Sequence, residues 1–298
     1  MQSNSSRALG ALCLLSLIWG YNWVVMKRVG VYVGPFDFSA LRALFGALAL
    51  FIVLLLTRRP LRIAAPGKVI VLGLVQTSAF AALIQWALVA GGAGKVAVLV
   101  YTMPFWLMLL ARGWLGEKVS GVQWAAAAVA AIGLVSLFAP WAHGGTLLSS
   151  LLAVAGGFSW ALASVLTKRM RREHDFDVLA LTTWQMLFGA LALCGVALCV
   201  PSKPIELTGY FFAALAFNAV LATALAWMLW VYVLNHLPVA VAGLSTLGIP
   251  LIGVISGQLE LGERLLPTDI VGTVLIAAAL AMTTLMSWWK QRRRQISA

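Results

Sequence analysis

Charge is scarce in this chain. Of its 298 residues 10% are Asp, Glu, Lys or Arg, against 62% hydrophobic, and the mean hydropathy is +0.97. So little polar surface cannot cover a water-soluble globule, and the chain reads as a membrane protein. Acids are scarcest. Asp37, Glu117, Glu173, Asp175, Asp177, Glu206, Glu260, Glu263 and Asp269 all fall near the ends of apolar stretches or between them, which argues against a deeply buried acid of the kind that couples transport to protons. His143, His174 and His236 lie far apart in loops, while Cys13, Cys194 and Cys199 fall inside apolar stretches, where cysteine is a small packing residue. Neither set makes a metal site, and no disulfide is expected. Gly94-Lys95 is not a phosphate-binding loop, because Val89 and Val96 stand where that pattern needs Gly and Ser or Thr. No cofactor is implied. Ten-residue alternating strands are missing too, which excludes a β-barrel and leaves helices as the spanning elements.

What is present is a series of apolar stretches close to the ~20 residues a helix needs to cross the hydrocarbon core. They run over 8–26, 36–56, 69–89, 96–111, 119–138, 147–166, 178–200, 210–234, 239–259 and 269–289, which predicts ten transmembrane helices. The first is a retained span and not a cleaved signal, since no small-residue cleavage site follows it. Basic residues set the orientation. Arg7, Arg58, Arg59, Arg62, Lys68, Arg112, Lys118, Lys168, Arg169, Arg171, Arg172, Lys290, Arg292, Arg293 and Arg294 fall on the side of the amino terminus, and only Lys27, Arg28, Lys95, Lys203 and Arg264 on the other. By the positive-inside rule both termini are cytoplasmic. The net charge of +12 is therefore read as topology and lipid-headgroup contact, with no nucleic-acid partner.

The chain also repeats itself. Leu44–Leu50 reads LFGALAL and so does Leu187–Leu193. Trp19–Arg28 is answered by Trp160–Arg169, both ending in Lys-Arg, and Pro104 with Gly116-Glu117 is answered by Pro250 with Gly262-Glu263. Residues 1–143 and 144–298 are thus two five-helix repeats. Five is odd, so the second repeat enters the membrane from the opposite face, and the pair is inverted about an axis in the membrane plane.

These residues carry a family likeness. The tandem five-helix halves, the Trp-Gly-x-Asn-Trp stretch at Trp19–Trp23, Arg42 opposite Gln185 in the repeat alignment, and the Pro…Gly-Glu pattern in each half resemble the EamA branch of the drug/metabolite transporter superfamily. Within it the aromatic-rich spans are most similar to bacterial amino-acid exporters of the YddG type. The resemblance implies a multi-pass protein of the bacterial inner membrane that exports small polar metabolites, amino acids foremost, by alternating access. It implies a small-molecule substrate and lipid as partners, as a monomer or homodimer, and no enzyme activity. Carriers of nucleotide sugars, phosphorylated metabolites or drug-like solutes belong to the same superfamily. A membrane receptor or enzyme is the other class, and it would need a catalytic acid, a His cluster or a nucleophile pair in the spans.

Site candidates follow from the cost of polarity in lipid. Arg42 is the ionisable residue well inside a span, on the order of 9 Å from its outer end at ~1.5 Å per residue. It either receives a substrate carboxylate or snorkels and caps carbonyls of a neighbouring helix. Asn22 with Tyr21 and Trp23, Gln85 with Gln76 and Trp86, Tyr101 with Thr102, Trp160 with Ser164, Gln185 with Trp184, and Trp227 with Asn218 and Tyr232 are the further candidates for a central path. For the amides a helix-to-helix hydrogen bond is the competing role, and for the tryptophans packing or lipid contact. Pro104 and Pro250 predict kinks, either static or serving as hinges.

Overall fold

The computed structural model describes residues 2–90, 96, 99–138, 146–261 and 267–296. Every regular element among them is helical. Helices α1 (Gln2–Val29) and α2 (Pro35–Leu56) are followed by α3 (Pro66–Gly73), which passes through a π-helical turn (Leu74–Ala79) into α4 (Phe80–Ala90). Next come α5 (Met103–Leu115), α6 (Gly121–Phe138), α7 (Leu147–Glu173) and α8 (Val178–Cys199). Then α9 (Gly209–Ala216) passes through a second π-helical turn (Phe217–Leu225) into α10 (Ala226–His236). Last are α11 (Val239–Ser245), α12 (Gly248–Leu261) and α13 (Pro267–Ile296). The expected loop at 91–95, the junction at 143/144 and the second Gly-Glu pair lie outside the described residues.

Local chemistry places the ends. Pro35 and Pro66 open α2 and α3, where a missing N–H costs no helical bond. The side chains of Thr146, Asp177 and Thr208 accept from the amides of Ser149, Ala180 and Phe211 and start α7, α8 and α9. Gly116 closes α5 at φ 67, a left-handed conformation that glycine adopts without penalty, which accounts for the glycine of the first Gly-Glu pair.

Six helical segments are long and apolar enough to cross a membrane: Arg7–Val29, Pro35–Leu56, Pro66–Ala87, Leu147–Glu173, Val178–Cys199 and Gly209–His236. Shorter apolar helices cover Gly121–Ser136, Val241–Gly257 and Ile270–Ala279. The stretches 96–111 and 239–259, expected as single kinked spans, are each interrupted by a turn, at Tyr101-Thr102 and at Thr246-Leu247. The prolines sit just beyond, in the first turns of α5 and α12, because Pro104 and Pro250 cannot donate to the carbonyl one turn back. Thr102 and Thr246 close the gap alike, each hydroxyl donating to the carbonyl three residues earlier, Leu99 or Gly243, at 2.6 Å.

The packing falls into matching pairs. α1 lies against α10 and α12, and α7 lies against α4 and α5. α2 packs on the second π-helical turn and α8 packs on the first, and α2 and α8, which carry the LFGALAL copies, are themselves in contact. α6 pairs with α13. Each π-helical turn also presents a carbonyl to a side chain from elsewhere: Ala222 accepts from Trp19 Nε1 of α1 at 2.9 Å, and Val75 accepts from Ser159 Oγ of α7 at 2.7 Å. Among the described residues the ion pairs sit at helix ends. Cys13 and Cys199 face outward and are not interior packing residues; only Cys194 is partly buried.

Candidate functional site

Two registers along α9, α10 and the π-helical turn between them bring the polar residues level. Trp19 donates to the Ala222 carbonyl and Tyr21 rests edge-on against Phe217 with ring centres 5.7 Å apart, so Asn22 of α1 stands level with Asn218. From α2, Phe38 meets Phe211 at 6.4 Å, and Gly46 lies against Thr223 and the Ala219 carbonyl. Arg42, one turn from each of Phe38 and Gly46, therefore projects toward the turn that carries Asn218. The three come from three chain segments.

Their hydrogen-bonding state is complementary. Asn218 donates through Nδ2 to the Ala214 carbonyl at 3.1 Å, which leaves Oδ1 as a buried acceptor without a partner. Asn22 Oδ1 is likewise buried and unpartnered. Arg42, partly buried, makes no hydrogen bond or ion pair among the described residues. An intramembrane guanidinium without a partner, at the same level as two open amide oxygens, is costly unless a ligand engages them. A zwitterion does so, with its carboxylate on Arg42 and its ammonium on the amide oxygens.

A wall of tryptophan lies beyond. Trp227 meets Trp19 edge-on at 5.4 Å, Trp19 lies 6.4 Å from Trp230, and Trp230 lies 4.6 Å from Trp160. Trp230 donates through Nε1 to Ser164 Oγ at 3.2 Å, and that hydroxyl donates to the Trp160 carbonyl at 3.0 Å. Toward the other end, Val25, Val29, Val33, Phe38, Phe211 and Ala214 form a buried apolar plug. The Arg28–Glu260 pair at 3.0 Å, with Tyr21 OH donating to Glu260 at 2.8 Å, ties α1 to α12 nearby.

The sequence candidates separate accordingly. Asn22, Arg42, Trp160 and Trp227 stand around this region. Ser164 and Gln85 are already engaged: Ser164 by the tryptophans, and Gln85 by Ser39 Oγ, to which its Nε2 donates at 3.0 Å, tying α4 to α2. Tyr101 is held by Trp23, whose Nε1 donates to its hydroxyl at 2.8 Å. Gln185 is buried at the α3–α8 crossing, where its carbonyl touches Gly73, and both its amide atoms lack partners. Trp19 and Trp230 were not singled out as ligands by sequence reasoning; the Trp227/Trp230 step of three, one helical face, was the available signal.

The comparisons agree with this architecture. The EamA-like transporter family matches twice, over residues 6–139 and 147–285. The "Uncharacterized transporter YoaV" of Bacillus subtilis is 28% identical over 277 residues, 91% of this chain and 94% of its own. The "Probable amino-acid metabolite efflux pump" of Escherichia coli is 28% identical over 300 residues, covering 96% and 98%. The "Probable terminal-alkyne amino-acid exporter" of Streptantibioticus cattleyicolor is 26% identical, with 93% of each chain covered. A solved crystal structure with 19% identity superposes at a TM-score of 0.83 over 94% of this chain and 97% of that one, which shows the fold. With six segments able to span a bilayer, this is a multi-pass protein of the bacterial inner membrane, and the chain belongs to the EamA-like transporter family.

Proposed function

We propose that this chain exports amino acids across the inner membrane by alternating access, as a secondary carrier without nucleotide or proton coupling and without enzyme activity. The observation that carries the reading is the Arg42–Asn22–Asn218 set: one unpartnered cation and two unpartnered acceptors, level with each other and walled by tryptophan. Arg42 receives the carboxylate, Asn22 and Asn218 receive the ammonium, and Trp160 and Trp227 face the side chain. Tyr101, Gln85 and Ser164 position the surrounding helices through their hydrogen bonds, and Gln185 keeps a further unpartnered buried amide at the α3–α8 crossing. The names of the Escherichia coli and Streptantibioticus relatives support amino acids over the other metabolite classes of the superfamily.

The transport cycle follows from inversion. Residues 1–143 and 144–298 are two five-helix repeats of a ten-span protein with both termini cytoplasmic, and the paired contacts and twin π-helical turns support that symmetry. Two nearly equivalent packings then exist, one open to each face, and rocking α1 and α7 with their partners exchanges them. The apolar plug and the Arg28–Glu260 pair close one end. The Lys168–Glu117 pair at 3.1 Å closes the other. Purified protein in liposomes tests the function directly. Flux of labelled amino acids, saturable and competed by other amino acids, is the expected result. Flux confined to phosphorylated or uncharged solutes overturns it.

A further inference from the structure

At the end of the bundle where α7 finishes and α3 begins, the two helices part and leave a groove of about 380 Å³ lined by Gly67, Lys68, Val71, Leu166, Arg169, Met170 and Glu173. Its chemistry is graded. Lys68, Arg169 and Glu173 form the rim, and Val71 and Leu166 lie one turn further along their helices, away from the helix ends, with buried Met170 between. A polar rim over an apolar floor at a span end follows the profile of a phospholipid, headgroup over acyl chain.

The rim is under-compensated. Glu173 is shared by two cations, its Oε2 2.7 Å from Lys68 Nζ and its Oε1 2.9 Å from Arg169 Nε. The three side chains therefore carry one net positive charge. Donors remain as well: Arg169 engages Glu173 through Nε alone, and its two Nη groups make no other hydrogen bond among the described residues. Lys68 is 51% and Arg169 57% exposed, so both can reach a ligand from the lipid side. A phosphodiester brings the missing single negative charge and two oxygens for the guanidinium fork. A headgroup that carries its own cation restores the excess, because the one carboxylate is already doubly paired.

We infer that this groove is a binding site for an anionic phospholipid of the phosphatidylglycerol class, its phosphate on Arg169 and Lys68 and its acyl chain on Val71, Leu166 and Met170. The site lies apart from the proposed substrate path. Only the leaflet, the cytoplasmic one, depends on the proposed topology; binding in detergent does not depend on transport.

The test uses the full-length protein purified in a neutral detergent and titrated with phosphatidylglycerol, with phosphatidylcholine of the same chains, and with glycerol phosphate. Bound lipid is counted by native mass spectrometry and the unfolding midpoint is recorded. Phosphatidylglycerol should bind and raise the midpoint, with phosphatidylcholine at least tenfold weaker and glycerol phosphate without effect. Arg169→Gln should lose most of that affinity, Leu166→Trp should block the groove with its charges intact, and Glu173→Gln should tighten binding by freeing both cations. Arg62→Gln, an exposed cation outside the groove, should behave as wild type. Equal binding of both lipids, unchanged phosphatidylglycerol binding by both Arg169→Gln and Leu166→Trp, or a glycerol phosphate effect as large as the lipid's would each overturn the inference.

Discussion

A methyl group on Gly46 would lie 2.6 Å from Thr223 Cγ2, and one on Gly189 would run into Thr77. Gly46 and Gly189 are the glycines of the two LFGALAL copies, so the same close approach is made twice, by α2 on the second π-helical turn and by α8 on the first. Small residues at such crossings let backbones approach where no hydrophobic drive holds helices together in lipid. Gly46→Ala and Gly189→Ala should each destabilise the protein by about 1–3 kcal/mol through overpacking. Gly195→Ala, with nothing within 4 Å of the new methyl, should be neutral or stabilising by up to ~1 kcal/mol from helix propensity. Unfolding midpoints in detergent decide. A Gly46→Ala protein as stable as Gly195→Ala would show that the crossing has slack.

Arg42 separates recognition from packing. Arg42→Gln copies the residue at the matching position two residues before the second LFGALAL segment, Gln185, and should keep the fold while weakening binding of every substrate that bears a carboxylate. The loss should be on the order of 1.5–3 kcal/mol, roughly tenfold to a hundredfold in affinity. Arg42→Lys should recover only part, since an ammonium keeps the charge but loses the planar fork. Full affinity in a well-folded Arg42→Gln protein would remove Arg42 from the site.

Lys168 and Glu117 form the best-buried ion pair described, with side chains 14% and 13% exposed. Lys168 also donates to the Leu237 carbonyl at 2.9 Å, so it joins α7 both to the turn after α5 and to the end of α10. Glu117→Gln should cost on the order of 2 kcal/mol, because it leaves a largely buried cation short of its counter-charge. Lys168→Met combined with Glu117→Leu should recover much of that. Glu206→Gln, on an exposed loop, should stay within ~0.5 kcal/mol of wild type. Equal midpoints for Glu117→Gln and Glu206→Gln would deny the pair a structural role.

Topology is open to direct measurement. In a background with Cys13, Cys194 and Cys199 replaced, a cysteine at Pro204 should react with an impermeant reagent added to intact cells, and one at Asp175 should be spared. Both positions are exposed. The reverse pattern would overturn the orientation inferred from the basic residues.

Energy coupling gives a fifth expectation. Asp37 and Asp269 lie in first turns of α2 and α13, and Glu173 and Glu260 in last turns of α7 and α12, so none stands at mid-span. Net flux in liposomes should follow the substrate gradient with no imposed pH difference. Uphill accumulation driven by a pH gradient alone would return attention to Asp37.

Much of the fold was legible in the chain, and the reason is the solvent. Lipid requires long apolar helices, so stretches such as 36–56 and 178–200 appear as α2 and α8 with small shifts at their ends. The copied LFGALAL segments lie on two helices that meet. Short-range chemistry was readable as well: Pro104 predicted a disturbance of its span. Where that disturbance fell was less plain, since a proline disrupts the turn before itself and the break appears at Tyr101-Thr102.

The site was less legible. By type, Gln85 and Asn22 were equal candidates. Tertiary structure alone gave Gln85 a partner in Ser39, 46 residues away, and left Asn22 Oδ1 with none. It likewise engaged Ser164 with Trp230 and gathered Trp19, Trp160, Trp227 and Trp230 from three helices. Hydropathy and periodicity state which residues bear polarity in a span and which helical face they share. Whether a given amide is satisfied depends on how two helices distant in sequence cross, on π-helical turns that rotate one half of a span against the other, and on distances of a few ångströms. The sequence by itself determined the helical membrane class and the apolar stretches that its long helices occupy. Only the packed bundle decided which polar groups find a partner.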